Sequence, residues 1–530
     1  MAEFIKLITE NDIWKCAAEF MKKFWVVLLV FIIALSVRVF YINQKSGLHI
    51  DESASFIISS GNKYGWTENF IINSEYTGEE LRQLTMGNPD NSADLVSDLK
   101  LLWLNNNRDK SWTNFYYSIL RISALASNDL SLKGLIKRGC YLNLIFFTLS
   151  FFYFFKLLQI LFKEDNKKYI PFALFVAYMN TAAISTTLFI RSYQLQEAML
   201  VIMTYIFANF YNDIKADNFN ITPKKFLLTA FVMSLVNLSG YFAMIYEILL
   251  GMVLIVLCVI KRAYKPAGIL SGLFVSGLIF ANLLYGGFWL GFKSGRAVGC
   301  YKVIHGVHIS LIEIIKYLWS YFSRYLFYPV VLLSVFVSAF FFKKKVYKCE
   351  KPLLWIIVGC AFVWSFVIMS IAPYKVLRYI APVFPLIALV IVEIVKEFNF
   401  KLIYFFTVLY FMSCIFVASF DYDVRIPEKT LPFLADIENT VKLADEQFIY
   451  RYKTDFPVFI YAADTWKTEL LLAYLNPHQK YKFVDYSFLE QKLYPKNCFI
   501  IYQKEITLPQ EHELHKIQCS GYHKCFEITD

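Results

Sequence analysis

The chain has 530 residues, 57% of them hydrophobic and 18% aromatic, with mean hydropathy +0.46 and a formal net charge of +11. Charged residues make up 18%, against roughly 25% in soluble domains, and a soluble core of this length could not hide so much apolar surface. These figures exclude a soluble globular protein, and basic residues scattered through short linkers rather than gathered on one face argue against a nucleic-acid partner.

The first apolar run extends from about Phe24 to Asn43. At ~1.5 Å per residue it can cross a ~30 Å hydrocarbon core. No small-residue cleavage site follows, so it reads as an uncleaved span. Hydropathy then places about ten more spans, near 139–162, 170–188, 191–211, 226–240, 241–260, 267–290, 325–342, 353–372, 379–395 and 401–419. Lys15, Lys22 and Lys23 precede the first span and set the N-terminus in the cytoplasm. Alternation makes the linkers KEDNKK (163–168), ADNFNITPKK (216–225), KRAYK (261–265), KKKVYKCEK (343–351) and KEFNFK (396–401) cytoplasmic, and each is basic.

The outer side therefore receives a loop over 44–138, a second over about 291–324, and the segment after Phe420. In the first loop, ESASFIISS reads as a short amphipathic helix capped by Asp51 and ended by Gly61, and SWTNFYYSILRISALA (111–126) as an interfacial helix. The C-terminal segment loses the long apolar runs. Strand patterns over 456–464, 480–486 and 497–504, with a helical one over 465–475, make it a small α/β domain. The expected division is a transmembrane domain over 1–420 and a soluble extracytoplasmic domain over 421–530.

Ten cysteines carry no zinc-type spacing. Cys258, Cys360 and Cys414 sit in apolar runs as packing residues, while Cys519 and Cys525 lie where an oxidising compartment permits a disulfide. His305 and His308 have no third clustered partner, so no metal is implied.

The chemistry-bearing residues collect at the outer face. Asp51 and Glu52 stand side by side just beyond the first span, where a carboxylate fixed at a helix start can serve as general base to an incoming hydroxyl or amine. Two short outer turns, FIRSYQLQEA (189–198) and APYKVLRYIAP (372–382), carry positive charge beside tyrosine, against the insertion bias. Arg191, Lys375 and Arg378, with Arg38 late in the first span, thus become candidate ligands of an anion. Guanidinium forks match phosphate oxygens, and Tyr193 and Tyr379 add hydrogen-bond donors. The deeper acids Glu197 and Glu247 are expected to pair with the arginines.

This ordered set resembles the GT-C superfamily of membrane glycosyltransferases, in its protein O-mannosyltransferase and ArnT-like branch. The carrying features are Arg38, the Asp51–Glu52 pair, an interfacial helix in the first loop, Arg191 with Tyr193, the stretch RYIAPVFPLI (378–387), and an outer C-terminal domain. The resemblance implies a GT-C fold in a plasma or bacterial inner membrane. It also implies a polyprenyl-phosphate-linked sugar donor and an extracytoplasmic lipid-glycan, polysaccharide or protein acceptor. Asp51 is then the base, Glu52 a neighbour shaping the site, and Arg191 and Arg378 the ligands of the donor phosphate. No cofactor is implied; relatives differ in metal use, and Glu75, Asp98 and Asp109 are unranked partner acids. Where many relatives carry His-Pro-Pro, this chain reads KSWTNFYY (110–117). The competing reading is a transporter or flippase that binds an anionic lipid-linked saccharide without breaking a bond.

Overall fold

The computed structural model describes residues 10–45, 47–60, 74–86, 95–97, 99–100, 102, 113–127, 129–162, 168–293, 295–306, 310–328, 352–396, 402–422, 455–461, 472–473, 475–503, 515–517 and 523–528. Helix α1, Glu10–Gln44, contains neither Pro nor Gly, and nothing interrupts its hydrogen-bond ladder. A short helix α2, Ile50–Ser59, follows it directly. The first long loop then supplies strand β1 (Glu75–Thr77) and helices α3 (Gly78–Met86) and α4 (Phe115–Ile122). The last continues into a 3-10 turn over Ser123–Ala126, as the apolar spacing of 111–126 predicts.

The bundle consists of α5 (Leu132–Leu161), α6 (Ile170–Met179), α7 (Thr181–Leu188), α8 (Tyr193–Lys215), α9 (Pro223–Ser239), α10 (Tyr241–Ile260) and α11 (Tyr264–Leu284). The second loop carries α12 (Gly295–Gly306) and α13 (Leu311–Phe322), and α14 (Pro352–Ile371) returns through the bundle. Five described helices are long and apolar enough to cross a membrane, and six if the bent pair α6–α7 counts as one span. That pair turns by 58° at Asn180. The Asn180 carboxamide resolves the break by itself: Oδ1 accepts from the Ala183 amide at 2.8 Å, and Nδ2 donates to the carbonyls of Val176 and Ala177 at 3.1 and 2.8 Å. In hydrocarbon an unsatisfied helix end is costly, so one side chain that ends one helix and starts the next is a sound place for a break.

The expected span over 379–395 is not one helix. Two 3-10 turns, Leu377–Tyr379 and Ala381–Val383, precede α15 (Phe384–Ile387) and α16 (Leu389–Lys396). Pro382 and Pro385 lack the N–H that a continuous ladder needs. Most of the expected span over 325–342 lies outside the described residues. The final apolar helix is α17, Leu402–Tyr422.

The C-terminal sheet has six strands: β1, then β2 (Val458–Tyr461), β3 (Lys480–Val484), β4 (Cys498–Gln503), β5 (His515–Ile517) and β6 (His523–Ile528), in the order β1-β3-β2-β4-β6-β5. The β3-β2-β4 centre is parallel, and β1, β6 and β5 pair antiparallel. Side chains along β4 alternate between two cores. Cys498, Ile500 and Tyr502 join a small local cluster, whereas Phe499 and Ile501 join the large cluster shared with the membrane helices. One face of the sheet thus joins the continuous core that runs through the first-loop helix Gly78–Met86 to the bundle.

The edge strand β1 comes from the first long loop, with Glu75, Tyr76 and Thr77 opposite Lys482, Tyr481 and Lys480. Arg82 Nη1 reinforces the junction by donating to the Leu475 carbonyl at 2.7 Å. The expected helix over 465–475 and Cys519 fall largely outside the described residues. At Gly78 an added Cβ would lie 2.3 Å from the Asn476 carbonyl oxygen. Gly78→Val is therefore expected to lower the thermal stability of the purified protein by about 1–3 kcal/mol, the usual range for overpacking, measured by fluorescence-monitored melting in detergent.

Candidate functional site

The site begins with how α2 is started. The residue ahead of the helix is His49, not Asp51: the Asp51 amide donates to His49 Nδ1 at 3.1 Å, and Glu52 Oε2 accepts from the His49 amide at 2.6 Å. Asp51 therefore sits inside the first turn, and its carboxylate is left for tertiary contacts. Glu52 Oε2 also meets Lys45 Nζ at 3.0 Å, and Oε1 accepts from the Ile190 amide at 2.8 Å. Ser55 Oγ lies 2.9 Å from the Ile190 carbonyl oxygen. Both polar groups of residue 190 are thus clamped by α2, which fixes the position of the next residue, Arg191.

Arg191 and Arg378 converge on Asp51 from opposite sides. Arg191 Nη2 lies 3.1 Å from Asp51 Oδ1, and Arg378 Nη2 lies 3.1 Å from Asp51 Oδ2. Arg191 Nη1 also donates to the Tyr117 hydroxyl on α4 at 2.8 Å. The Arg378 guanidinium lies over the Phe189 ring, 5.4 Å from its centroid. The Asp51 and Arg191 side chains are nearly buried, whereas that of Arg378 keeps 17% of its surface exposed. Two guanidiniums around one carboxylate leave a local excess of one positive charge, because Lys45 and Glu52 cancel each other. In a low dielectric such an excess attracts an anion strongly.

Tyr193 and Tyr379 link this cluster to a cavity of about 400 Å³. The rings of Phe189, Tyr193 and Tyr379 form a row, with successive centroids 6.1 and 6.2 Å apart. Beyond them the wall is mostly apolar, with Tyr241, Phe242, Met244 and Ile245 from α10 and Cys300, Tyr301 and Ile304 from α12. A charged head held at the arginines and an apolar tail in the cavity would form one continuous binding path.

Two expected ligands lie elsewhere. Lys375 is in the turn after α14, where Nζ donates to the carbonyls of Ser370 and Ala372 at 3.3 and 2.6 Å; partial burial lowers its pKa. Arg38 is fully buried in the bundle, and the structure does not bring it to Asp51. Its Nε donates to Thr187 Oγ1 at 2.9 Å, Nη1 to the Ala34 carbonyl at 3.0 Å and Nη2 to the Tyr178 carbonyl at 2.9 Å. The guanidinium also lies 4.0 Å from the Phe147 ring centroid. From Thr187 the network runs through Gln194 to Glu197 and Ser150. Glu197 is therefore linked to Arg38 by a hydrogen-bond chain rather than by direct pairing. Glu247 faces Asn237 instead of an arginine.

Lys45, His49 and Tyr117 complete the site without having been singled out in the sequence. Tyr117 lies in the aromatic stretch NFYY of an amphipathic helix, the one signal that could have marked it. Among the described residues no group of three His, Cys, Asp or Glu side chains could hold a metal ion.

No family model and no curated protein matches the chain. Among solved structures, the crystal structure of ArnT from Cupriavidus metallidurans bound to undecaprenyl phosphate superposes with a TM-score of 0.50 at 11% identity. The alignment covers 95% of this chain and 98% of that one. The chain thus has a GT-C-like fold.

The Glu52 clamp gives a stability test. Glu52→Ala strands Lys45 in a buried site and removes the acceptor of the Ile190 amide; breaking one side of a buried pair typically costs about 3–5 kcal/mol. The expected result is a large fall in melting temperature for Glu52→Ala, part of which is recovered when Lys45→Met is added, both read by thermal unfolding in detergent.

Proposed function

We propose that the protein is a membrane glycosyltransferase that moves a sugar from a polyprenyl-phosphate-linked donor to an acceptor on the extracytoplasmic side. The observation that carries this reading is Asp51 held between Arg191 and Arg378, with the Phe189, Tyr193 and Tyr379 rings leading from that cluster to an apolar cavity. The solved relative in fold was bound to undecaprenyl phosphate, an anionic head on a long apolar chain, which has the shape of the path described above.

In this mechanism the donor phosphate takes the two guanidiniums as its ligands and loosens their hold on Asp51. An acceptor hydroxyl or amine reaches Asp51, which accepts its proton as the nucleophile attacks the anomeric carbon. The new bond forms on the face opposite the breaking C–O bond, so configuration inverts. The sugar–phosphate bond breaks, and its electron pair leaves on the phosphate oxygen. Phosphate is a weakly basic leaving group, so the main tasks are to neutralise developing charge and to orient the acceptor. Glu52 acts through position: it holds Ile190, and thereby Arg191, in register with Asp51. Tyr193 and Tyr379 line the passage between head and tail sites. Lys375, held by the Ser370 and Ala372 carbonyls, has no part in the phosphate site, and Arg38 belongs to the framework that holds α1 against α6 and α7.

In this topology the N-terminus is cytoplasmic, and the C-terminal sheet together with the first loop covers the outer face.

Purified protein is to be assayed in detergent, where transport has no meaning, for consumption of a polyprenyl-phosphate sugar and transfer to an acceptor. Asp51→Asn is expected to keep folding, judged by monodisperse size exclusion, and to lower turnover by about 10²–10⁴-fold, the range for a lost general base. Arg378→Ala is expected to raise the donor KM more than it lowers kcat. Unimpaired transfer by Asp51→Asn removes Asp51 from the mechanism. Donor binding without consumption by the wild type favours the flippase reading.

A further inference from the structure

A second cavity, of about 260 Å³, lies between α9, α10 and α11, and the mechanism above leaves it unused. Its wall is apolar except for Asn237 near the end of α9, Glu247 in the second turn of α10, and Ser271 on α11. Asn237 and Glu247 are 0% and 2% exposed. They face each other as weak hydrogen-bonding neighbours, yet among the described residues Glu247 Oε2 and both atoms of the Asn237 carboxamide have no partner at full hydrogen-bond geometry. Buried polar groups almost always have partners, and within hydrocarbon there is no bulk water to supply them. No Lys or Arg stands in the wall to balance a carboxylate.

The cleft opens on the exposed apolar surface of α10, a helix long and apolar enough to cross a membrane. Ile248 and Met252 line it and are 45% and 54% exposed on the outer surface of α10. Its back is shaped by the close approach of α10 and α11: at Gly251 an added Cβ would fall 1.9 Å from a ring carbon of Phe274. The space is far larger than the ~30 Å³ share of one water, and its long apolar wall suits a chain.

We propose that this cleft binds one membrane amphiphile whose head group carries an O–H or N–H donor, satisfied by Glu247 and Asn237, with its chain along Ile248, Met252 and Ile255. Glu247 offers an acceptor and Asn237 both a donor and an acceptor. A hydroxyl or an ammonium completes them; a quaternary choline, with no N–H, does not. Met244 lines both this cleft and the cavity beside Tyr193 and Tyr379, so the occupant abuts the wall of the proposed donor site. The assignment stands independently of glycosyl transfer, because its test reads lipid retention.

Full-length protein in detergent micelles is mixed with equal amounts of phosphatidylethanolamine, diacylglycerol and phosphatidylcholine of matched acyl chains. Retained lipid is measured by native mass spectrometry. The wild type is expected to retain one molecule of the ethanolamine or hydroxyl lipid over the choline lipid by about fivefold, the effect of roughly one net hydrogen bond. Glu247→Gln separates the two donors: it keeps diacylglycerol and loses phosphatidylethanolamine, whose ammonium needs a carboxylate. Asn237→Leu and Met252→Trp are each expected to abolish the preference, with folding of each variant judged by monodisperse size exclusion; Met252 is 54% exposed. Equal retention of all three lipids by the wild type, or a preference that survives in both Asn237→Leu and Met252→Trp, overturns the proposal.

Discussion

A carboxylate and two guanidiniums withdrawn from water must neutralise one another, and in this protein that requirement joins three distant stretches of chain. Asp51 belongs to the helix after the first span, Arg191 to the turn between α7 and α8, and Arg378 to the broken segment after α14. None of the three ions is cheap to bury alone. Together, with each carboxylate oxygen 3.1 Å from one guanidinium, they hold one end of the bundle in register. The neighbouring Lys45–Glu52 pair repeats the logic and adds a direct hold on the backbone at Ile190.

Irregular backbone is concentrated where these ions meet. The turn at 189–192 and the 3-10 turns over 377–383 would leave peptide groups unpaired if they faced lipid. Here they are buried in protein: the Ile190 amide goes to Glu52, and the Leu377 and Tyr379 side chains pack inside the bundle. The prolines that interrupt 379–395 thereby free the chain to present Arg378 sideways, toward Asp51, instead of burying it in a regular helix. The Asn180 break serves a parallel end by turning α7 so that Thr187 reaches Arg38.

Much of this was legible in the residues themselves. Arg191 and Arg378 stand out because positive charge in short outer turns opposes the insertion bias, and Asp51 because acids are scarce beside a span. Arg38 carried a similar signal and had a different outcome. A buried arginine draws notice from its charge, but whether its donors face a site or a neighbouring helix depends on what packs against it. The cap was misread for a related reason: Asp is a favoured N-cap, yet His49 with Glu52 forms the cap, and the Asp51 carboxylate meets Arg191 and Arg378 instead. Strand β1 gave no signal, since three residues of a polar loop become a strand only when β3 offers them an edge.

The sequence by itself determined the membrane class, the principal long helices and the residues with chemistry to spare, because hydropathy and charge bias are local properties that bilayer physics reads directly. Only the tertiary structure decided which charges are partners, that the first loop is woven into the C-terminal sheet, and that an apolar cavity opens beside the Asp51 cluster. Those outcomes depend on distances between segments far apart in the chain, and such distances are set by packing that no local pattern encodes.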